Sequence, residues 1–197
     1  MTGVVIHLVR HGTHAEVGHV LSGRSEIALD TRGAAEARAL AAELSHAQIA
    51  SLHTSPRRRA RETIAPVADQ CGVAVQVAPA LDEIDFGSFT GKRFDALEDD
   101  TAWRQWNAER DKARCPGGET MAEASARALD YLRAIPADQS PALCVTHCDV
   151  IRGVVTSALG LPFYRIFGFD CDPASITTLE LVDGAIRIVA LNQRVRR

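Results

Sequence analysis

Short runs rich in Val and Ile alternate along this chain with longer Ala- and Leu-rich segments whose apolar residues repeat at helical spacing. Runs of this kind are typical of strands covered on both faces, and the segments between them have the length of crossover helices. The runs cover residues 4–9, 50–54, 73–77 and 142–146. The alternation predicts a three-layer α/β/α fold, in which helices cover both faces of a mostly parallel central sheet.

Capping and turn residues mark the helices and a terminal hairpin. Helices are predicted from 34 to 44 with Asp30 as cap, from an N-cap at Ser55 to about Gln70, over the apolar repeat 121–135, and from an Asp149 cap to Leu159. Gly160 and Pro162 follow the last helix, in the order that commonly ends a helix. Runs 176–181 and 186–191 flank Asp183-Gly184 and predict an antiparallel hairpin.

The size and charge of the chain exclude some classes of function. Its 197 residues suffice for one ordinary domain, spanning 1–197, and are too few for two full domains. A formal net charge of -3 leaves no overall positive field, so neither a nucleic acid nor a membrane is expected as a partner. Any anionic ligand must therefore be held by a local group of side chains.

The first residues and the cysteines indicate the cellular compartment in which the protein is expected. Residues 1–8 have no charged n-region, and their apolar run is too short for a signal peptide or a spanning helix. Five cysteines, an odd number with no C-x-x-C pair, indicate reduced thiols and not a disulfide framework or a zinc site. We therefore expect a cytoplasmic protein. The sequence does not determine the oligomeric state and allows a homodimer.

Groups suited to phosphate follow three of the predicted strands. Arg10-His11-Gly12 follows the first strand, Ser55-Pro56-Arg57-Arg58-Arg59 the second, and His147 the strand 142–146. Ligands of open α/β sheets collect at the carboxyl ends of the strands, so these groups are expected to meet in one pocket. Each motif alone is more often an ordinary loop or a solvated helix face. Together the arginines, histidines and helix N-termini match a phosphoryl dianion.

Five motifs in the same order resemble those of the histidine phosphatase superfamily, also called phosphoglycerate mutase-like. The first is Leu8-Val9-Arg10-His11-Gly12-Thr13, which is similar to the family signature. The others are SPRRRARET at 55–63, LDEIDFG at 81–87, PGGET at 116–120 and VTH at 145–147, similar to the family's S-x-L-x-R-A-x-x-T, L-x-E-x-x-F-G, P-G-G-E-S/T and second histidine motifs. The matches run along nearly the whole chain, and they imply the phosphoglycerate mutase-like fold.

The resemblance, carried over residue by residue, implies that His11 is a nucleophile that becomes a phosphohistidine. A histidine attacks through a neutral ring nitrogen, and the nearby cations Arg10 and Arg59 disfavour the imidazolium. Arg10, Arg59 and His147 are expected to hold the non-bridging phosphoryl oxygens, helped by backbone N–H groups near Cys148. No metal or other cofactor is expected, because side chains supply the positive charge.

The reaction also needs a proton donor, because an alkoxide is a poor leaving group without one. Glu83 matches the acid position of the family. Asp82 and Asp85 flank it, and spacing alone does not choose among the three carboxylates. We interpret both aspartates as solvated loop charges.

Further residues are assigned less central roles. Arg24 lies where the family often contacts substrate, so it is a candidate specificity residue. His7 is interpreted as a core or near-core residue. His14 and His19 lie in a loop that could line the mouth of the pocket, and surface or structural roles are preferred for both. Residues 86–118, here called the roof segment, are expected to roof the pocket. Its aromatic residues are interpreted as core packing, namely Phe89, Phe94, Trp103 and Trp106.

The chain departs from the family pattern directly after His147. Many members carry two small residues there, whereas this chain has Cys148-Asp149. A capping role explains Asp149, and its carboxylate near the pocket is expected to narrow the range of substrates. Cys148 predicts sensitivity of the site to oxidants.

The predicted function is hydrolysis of a small phosphorylated metabolite, a phosphomonoester. One alternative is a phosphoglycerate mutase, which returns the phosphoryl group to a sugar acid; true mutases are usually longer, with an insertion and a tail that help exclude water. Another alternative is a non-catalytic module that binds a phospho-ligand. His11 and Glu83 argue against the module, because binding needs neither a nucleophile nor an acid.

Overall fold

The computed structural model describes residues 3–195 and contains a six-stranded sheet. Its strands are β1 (Val4–Arg10), β2 (Ser51–Thr54), β3 (Val75–Val77), β4 (Ala142–Thr146), β5 (Ile176–Val182) and β6 (Ala185–Gln193). They lie in the order β3-β2-β4-β1-β5-β6. Strands β1 to β4 are parallel, and the hairpin β5–β6 extends the sheet antiparallel beside β1. The predicted, mostly parallel sheet is confirmed.

Helices pack on both faces of this sheet. They are α1 (Thr31–Glu43), α2 (Arg58–Cys71), α5 (Met121–Arg133) and α6 (Cys148–Ala158), while the short α3 (Phe94–Leu97) and α4 (Thr101–Ala108) lie in the roof segment. Ile6 and Leu8 of β1 pack in one apolar cluster with α5 and α6, whereas Val9 packs in another with α1 and α2. Because successive strand residues face opposite sides, β1 contributes to both cores. The predicted three-layer arrangement is confirmed.

The start of α2 differs from the prediction. The helix begins at Arg58, with Arg57 in the cap position, and not at Pro56 after a Ser55 cap. Ser55 still belongs to the sheet, because its N–H donates to the Val145 carbonyl at 2.9 Å. The extended backbone therefore continues past the end of β2 and delays the helix.

Two aspartates were predicted as helix caps, and the structure confirms one of them and not the other. Asp30 caps α1, since its side chain accepts from the Gly33 N–H at 2.7 Å. Asp149 does not cap α6, because His147 holds that position and its carbonyl already accepts from the Ile151 N–H at 3.0 Å. Asp149 lies in the first turn instead, where its charge faces the positive end of the helix dipole.

The loop after β1 is held against the start of α1 by close backbone contact. A Cβ atom on Gly33 would lie 2.0 Å from the Thr13 carbonyl oxygen, and one on Gly12 would lie 2.9 Å from the Gly33 carbonyl oxygen. Both positions therefore require glycine. This contact fixes the loop that carries His11.

The roof segment has an aromatic core of its own. Phe89 and Trp106 are buried, and Trp103 stacks on Trp106 with ring centroids 5.4 Å apart. Phe94 packs against the same cluster. The prediction that these rings pack as core is confirmed. Within residues 3–195, no helix is long and apolar enough to cross a membrane.

Candidate active site

The carboxyl ends of β1, β2 and β4 bring the three predicted groups together. Strand β4 lies between the other two. On one side the His11 N–H donates to the Thr146 carbonyl at 3.0 Å, and on the other the Ser55 N–H donates to the Val145 carbonyl at 2.9 Å. His11, Ser55 and His147 therefore leave the sheet at neighbouring points, where α6 also begins.

A cavity of about 210 Å³ opens at this edge of the sheet. Of the predicted site residues, those that line it are Arg10, His11, Arg59, Glu83 and Cys148. Phe94 of the roof segment lines it as well. His147 and Arg24 are not among the lining residues.

A larger groove of about 830 Å³ lies between α1 and residues 172–173 and 194–195. Among the described residues its lining contains no histidine or cysteine, and its two carboxylates, Glu36 and Asp172, are paired with Arg32 and Arg194. The smaller cavity is therefore the candidate active site, because reactive groups and not volume decide where chemistry occurs.

His11 is a neutral histidine with one ring nitrogen available. Its side chain is buried, and Nδ1 lies 2.8 Å from the Gly12 carbonyl oxygen. A carbonyl only accepts hydrogen bonds, so Nδ1 carries the proton and Nε2 keeps its lone pair. Burial, then the positive charges of Arg59 and Arg10, hold the pKa of His11 well below its ordinary value. At neutral pH the ring is an uncharged nucleophile.

Arg59 is buried and fixed by three acceptors. Its guanidinium donates to the carbonyl oxygens of Gly23 at 2.6 Å and Ser25 at 3.0 Å, and to Nδ1 of His147 at 3.0 Å. Because arginine only donates, Nδ1 of His147 is the acceptor, and its Nε2–H donates to Ser55 Oγ at 2.7 Å. Burial and the Arg59 charge lower the pKa of His147.

His147 lies beside His11 as well as Arg59, and the centroids of the two imidazole rings are 5.2 Å apart. Both ring nitrogens of His147 have protein partners, and the side chain is 0% exposed. These contacts fix the orientation of the ring. Its contact with a phosphoryl oxygen stays a prediction.

The two site arginines retain donors that the protein does not use. Nη1 of Arg10 donates to the Cys171 carbonyl at 2.7 Å. The Nε atoms of Arg10 and Arg59, by contrast, are buried without a hydrogen-bond partner among the described residues. Buried charged donors are costly unless an acceptor reaches them. An anion in the cavity would supply that acceptor, and the N-terminus of α6 adds free backbone N–H groups at Cys148.

Glu83 is a carboxyl group that holds its proton at neutral pH. Its side chain is buried, and Oε1 accepts from the Ile84 N–H at 3.0 Å. Burial, then the negative charge of Asp149, raises the pKa of Glu83 to about 8. The group can therefore donate a proton inside the cavity that it shares with His11.

The interpretation of Asp82 as a solvated loop charge is wrong. Its side chain is buried and forms an ion pair with Nε of Arg57, with N and O 3.0 Å apart. Ser55 Oγ lies 3.4 Å from Asp82 Oδ1 and can donate a hydrogen bond to it, while the same Oγ accepts one from Nε2–H of His147. Sequence reasoning missed this chain from Asp82 through Ser55 to His147, and its only signal was the position of Asp82 beside Glu83. Asp85 remains partly exposed, with 38% of its side chain accessible.

Arg24 is hydrogen-bonded to the backbone of Glu83. Its Nε donates to the Glu83 carbonyl at 3.0 Å, and its two other nitrogens bind Asp85 at 3.2 Å and Glu119 at 3.0 Å. Arg127 donates to the same Glu83 carbonyl at 2.9 Å. With these donors engaged by the protein and no place on the cavity wall, Arg24 has no geometric support as a specificity residue.

His14 was expected at the surface or in a structural role, and the surface interpretation is wrong. Its ring is buried in the cavity wall, with its centroid 5.2 Å from that of His11. Burial, then the charges of Arg59 and Arg10, lower the pKa of His14 to about 4. His19 is exposed. His7 is half-buried and bonded to Thr178 at 3.0 Å, which confirms its near-core assignment.

A neutral imidazole beside two arginine charges is an arrangement that can accept a phosphoryl group on nitrogen. The comparison with protein families agrees with this class of chemistry. Residues 6–194 match the model of the histidine phosphatase superfamily, branch 1, and the chain belongs to that family.

Individual relatives carry both phosphatase and mutase names. A protein of Enterobacter sp. (strain 638), provisionally named phosphoglycerate mutase, is 32% identical over 166 residues, covering 81% of this chain and 76% of the relative. One from Hydrogenobacter thermophilus, provisionally named phosphoserine phosphatase 2, is 27% identical over 195 residues, covering 95% of each chain. The solved alpha-ribazole phosphatase of Shigella flexneri is 23% identical and superposes with a TM-score of 0.84, covering 98% of each chain; it shows the shared fold.

Proposed function

We propose that this protein hydrolyses a small-molecule phosphomonoester through a phosphohistidine on His11. The observation that carries the proposal is the state of His11, whose neutral Nε2 is free while Nδ1 is committed to the Gly12 carbonyl. Two cations with unused donors, Arg10 and Arg59, stand beside it. A binding site alone would need the cations and not an available lone pair.

In the proposed reaction, Nε2 of His11 attacks phosphorus while Arg10, Arg59 and the backbone N–H groups at Cys148 hold the non-bridging oxygens. Glu83 gives its proton to the departing ester oxygen. The resulting carboxylate then takes a proton from water, which attacks the phosphohistidine and frees His11. Proton transfer of this kind contributes roughly 10²–10⁴ in rate.

A second function has support from one comparison. The Enterobacter relative carries a phosphoglycerate mutase name at 32% identity. A mutase would return the phosphoryl group to a sugar acid and release no phosphate. Incubation with 3-phosphoglycerate therefore separates the two, because a phosphatase releases inorganic phosphate and a mutase yields the 2-phospho isomer.

The cavity and the cysteines support the remaining parts of the proposal. A volume of about 210 Å³ suits a phosphorylated metabolite and not a folded macromolecule. The five cysteines are free thiols, which fits a reducing, cytoplasmic setting. We also propose that residues 1–197 act as a single catalytic domain, because one sheet supplies every strand end of the site.

The test is hydrolysis of p-nitrophenyl phosphate in EDTA by the parent protein, His11→Ala and His46→Ala. His46 is exposed and outside the site, so it is the matched control. We expect the parent and His46→Ala to release phosphate without metal, and His11→Ala to lose about 10⁴-fold or more in rate. Rapid-quench mass spectrometry of the parent should detect an acid-labile phosphoryl adduct on His11.

Two outcomes oppose the proposal. Undiminished hydrolysis by His11→Ala, or no adduct on His11 at any quench time, would rule out the phosphohistidine. Inactivity of the parent on a broad panel of phosphate esters, combined with phosphate binding, would favour a non-catalytic module.

A further inference from the structure

We propose that Cys148 is a modification site for hydroperoxides and that Cys171 resolves the oxidised product into a disulfide at the rim of the phosphate cavity. Formation of the disulfide requires only the two thiols, whereas its effect on hydrolysis rests on the proposed phosphatase function.

Cys148 has the surroundings of a reactive thiol. It is the first residue of the 11-residue helix α6, where the helix dipole favours a negative charge. It also lines the cavity together with Arg10 and Arg152, so a small oxidant that enters the site reaches it. A hydrogen bond with Cys171 lowers the pKa of the Cys148 thiol.

Two other cysteines, by contrast with Cys148, have the surroundings of unreactive thiols. Cys144 lies inside β4 and is 0% exposed, and burial raises the pKa of its thiol well above the ordinary value. Burial likewise raises the pKa of Cys115, to about 12. Neither thiol lines the cavity, so an oxidant in the site has Cys148 as its target.

Cys171 is placed to act on an oxidised Cys148. The Cys148 thiol donates to the Cys171 carbonyl oxygen at 3.9 Å, which brings the Cys148 side chain against Cys171. The interaction between the two side chains lowers the pKa of Cys148 and raises that of Cys171, so Cys148 is the thiol that is deprotonated first. Cys171 is only 5% exposed, which shields it from direct attack by a peroxide. Its sulfur therefore meets the Cys148 sulfur before it meets the oxidant.

The chemistry proceeds in two balanced steps. The Cys148 thiolate attacks one peroxide oxygen, so that an S–O bond forms, the O–O bond breaks, and the leaving oxygen takes a proton to become water or an alcohol. The Cys171 sulfur then attacks the Cys148 sulfur, so that an S–S bond forms and hydroxide leaves with the Cys171 proton as water. Two thiols lose two electrons in total, and the peroxide gains them.

The disulfide would act on the site through Arg10. The carbonyl of Cys171 holds Nη1 of Arg10 at 2.7 Å, and Cys148 carries the backbone N–H at the start of α6. A covalent link between these two residues changes the position of both groups that face the phosphate. We therefore expect the oxidised protein to lose phosphatase activity and a thiol reductant to restore it.

The experiment treats the full chain with hydrogen peroxide and compares the parent, Cys148→Ser, Cys171→Ser and Cys71→Ser. Cys71 is partly exposed at the end of α2 and is the control for a cysteine outside the site. In the parent and Cys71→Ser, peptide mapping should find a Cys148–Cys171 crosslink, with the intact mass lower by two hydrogens. Cys171→Ser should instead accumulate a Cys148 sulfenic acid, trapped by dimedone. Saturating inorganic phosphate should slow both reactions.

Each readout can overturn the proposal. The disulfide is excluded if the parent forms no such crosslink, or if Cys171→Ser traps no more dimedone than Cys148→Ser. The effect on function is excluded if peroxide inactivates Cys148→Ser as fast as it inactivates the parent. Because the crosslink is read by mass, a protein without phosphatase activity would still give an answer.

Discussion

The floor and the roof of the cavity are built by different means. The floor, meaning Arg10, His11 and Arg59 of the cavity wall with His147 beside them, is polar, and each side chain is tied to a backbone or side-chain partner. The roof segment has no strand of the central sheet, and its aromatic rings hold one another. Directional hydrogen bonds fix positions to a fraction of an ångström, whereas ring packing tolerates changes of shape.

The difference indicates that the floor and the roof segment have separate roles. Charge stabilisation requires donors that are in place before the substrate arrives, and the floor supplies them. Contact with the rest of the proposed substrate would require only a complementary surface, and Phe94 of the roof segment lines the cavity. Substitutions in the floor should therefore change the rate of chemistry, and substitutions in the roof should change substrate binding.

After His11→Ala, the largest expected effect concerns Glu83, the proposed acid. Glu83→Gln cannot donate or accept the proton, so hydrolysis of alkyl phosphates should fall by about 10²–10⁴. For the parent, kcat/KM should fall as pH rises through about 8, where Glu83 loses its proton, and Glu83→Gln should lack this limb. Hydrolysis of p-nitrophenyl phosphate should suffer less, because its leaving group needs no proton. An equal loss on both substrates would contradict the assignment.

The next effect tests the rigidity of the floor. Arg59→Lys keeps the charge but cannot bind Gly23, Ser25 and His147 at once. We expect kcat to fall by about 10²–10³, a loss typical of a removed transition-state donor. Arg58→Lys is the matched control, because Arg58 is exposed and bonds only Glu62 among the described residues. A change confined to KM would show that Arg59 merely binds substrate.

A smaller effect is expected in the roof. Phe94→Ala removes a ring from the cavity wall and leaves the buried Trp106 in place. KM should rise about fivefold while kcat changes little, since lost apolar contact in a pocket costs about 1–3 kcal/mol and the half-buried Phe94 is expected at the lower end of this scale. The measurement is steady-state kinetics on several esters. A loss of kcat equal to that of Arg59→Lys would remove the distinction between floor and roof.

The smallest effect concerns His14 of the cavity wall and the stability of the protein in acid. The pKa of His14 is lowered to about 4, whereas the unfolded chain has the ordinary value near 6.5. The unfolded state therefore binds more protons between these values, and the free energy of unfolding should fall as pH drops from 6.5 toward 4. Urea unfolding at pH 7.5 and 5 measures this, and His14→Asn should show a weaker dependence. An unfolding midpoint that does not change with pH would contradict it.

Local patterns in the sequence predicted the layers and the residues that meet at the cavity. The alternation of short apolar runs with helical segments placed the parallel strands, because residue periodicity is a property of each element alone. Each of the three groups, Arg10-His11, Ser55 to Arg59 and His147, directly follows a predicted strand. Because the carboxyl ends of parallel strands lie at the same edge of a sheet, this order predicted that the groups meet there.

Only the tertiary structure decided which partner each side chain takes. Asp82 is buried and paired with Arg57, His147 accepts from Arg59, and Ser55 accepts from His147 instead of capping a helix. Ser55 and Arg59 are 92 and 88 residues from His147 in the chain. Periodicity and capping describe neighbours within a few residues, so contacts over such separations are set by packing of the whole sheet and its helices.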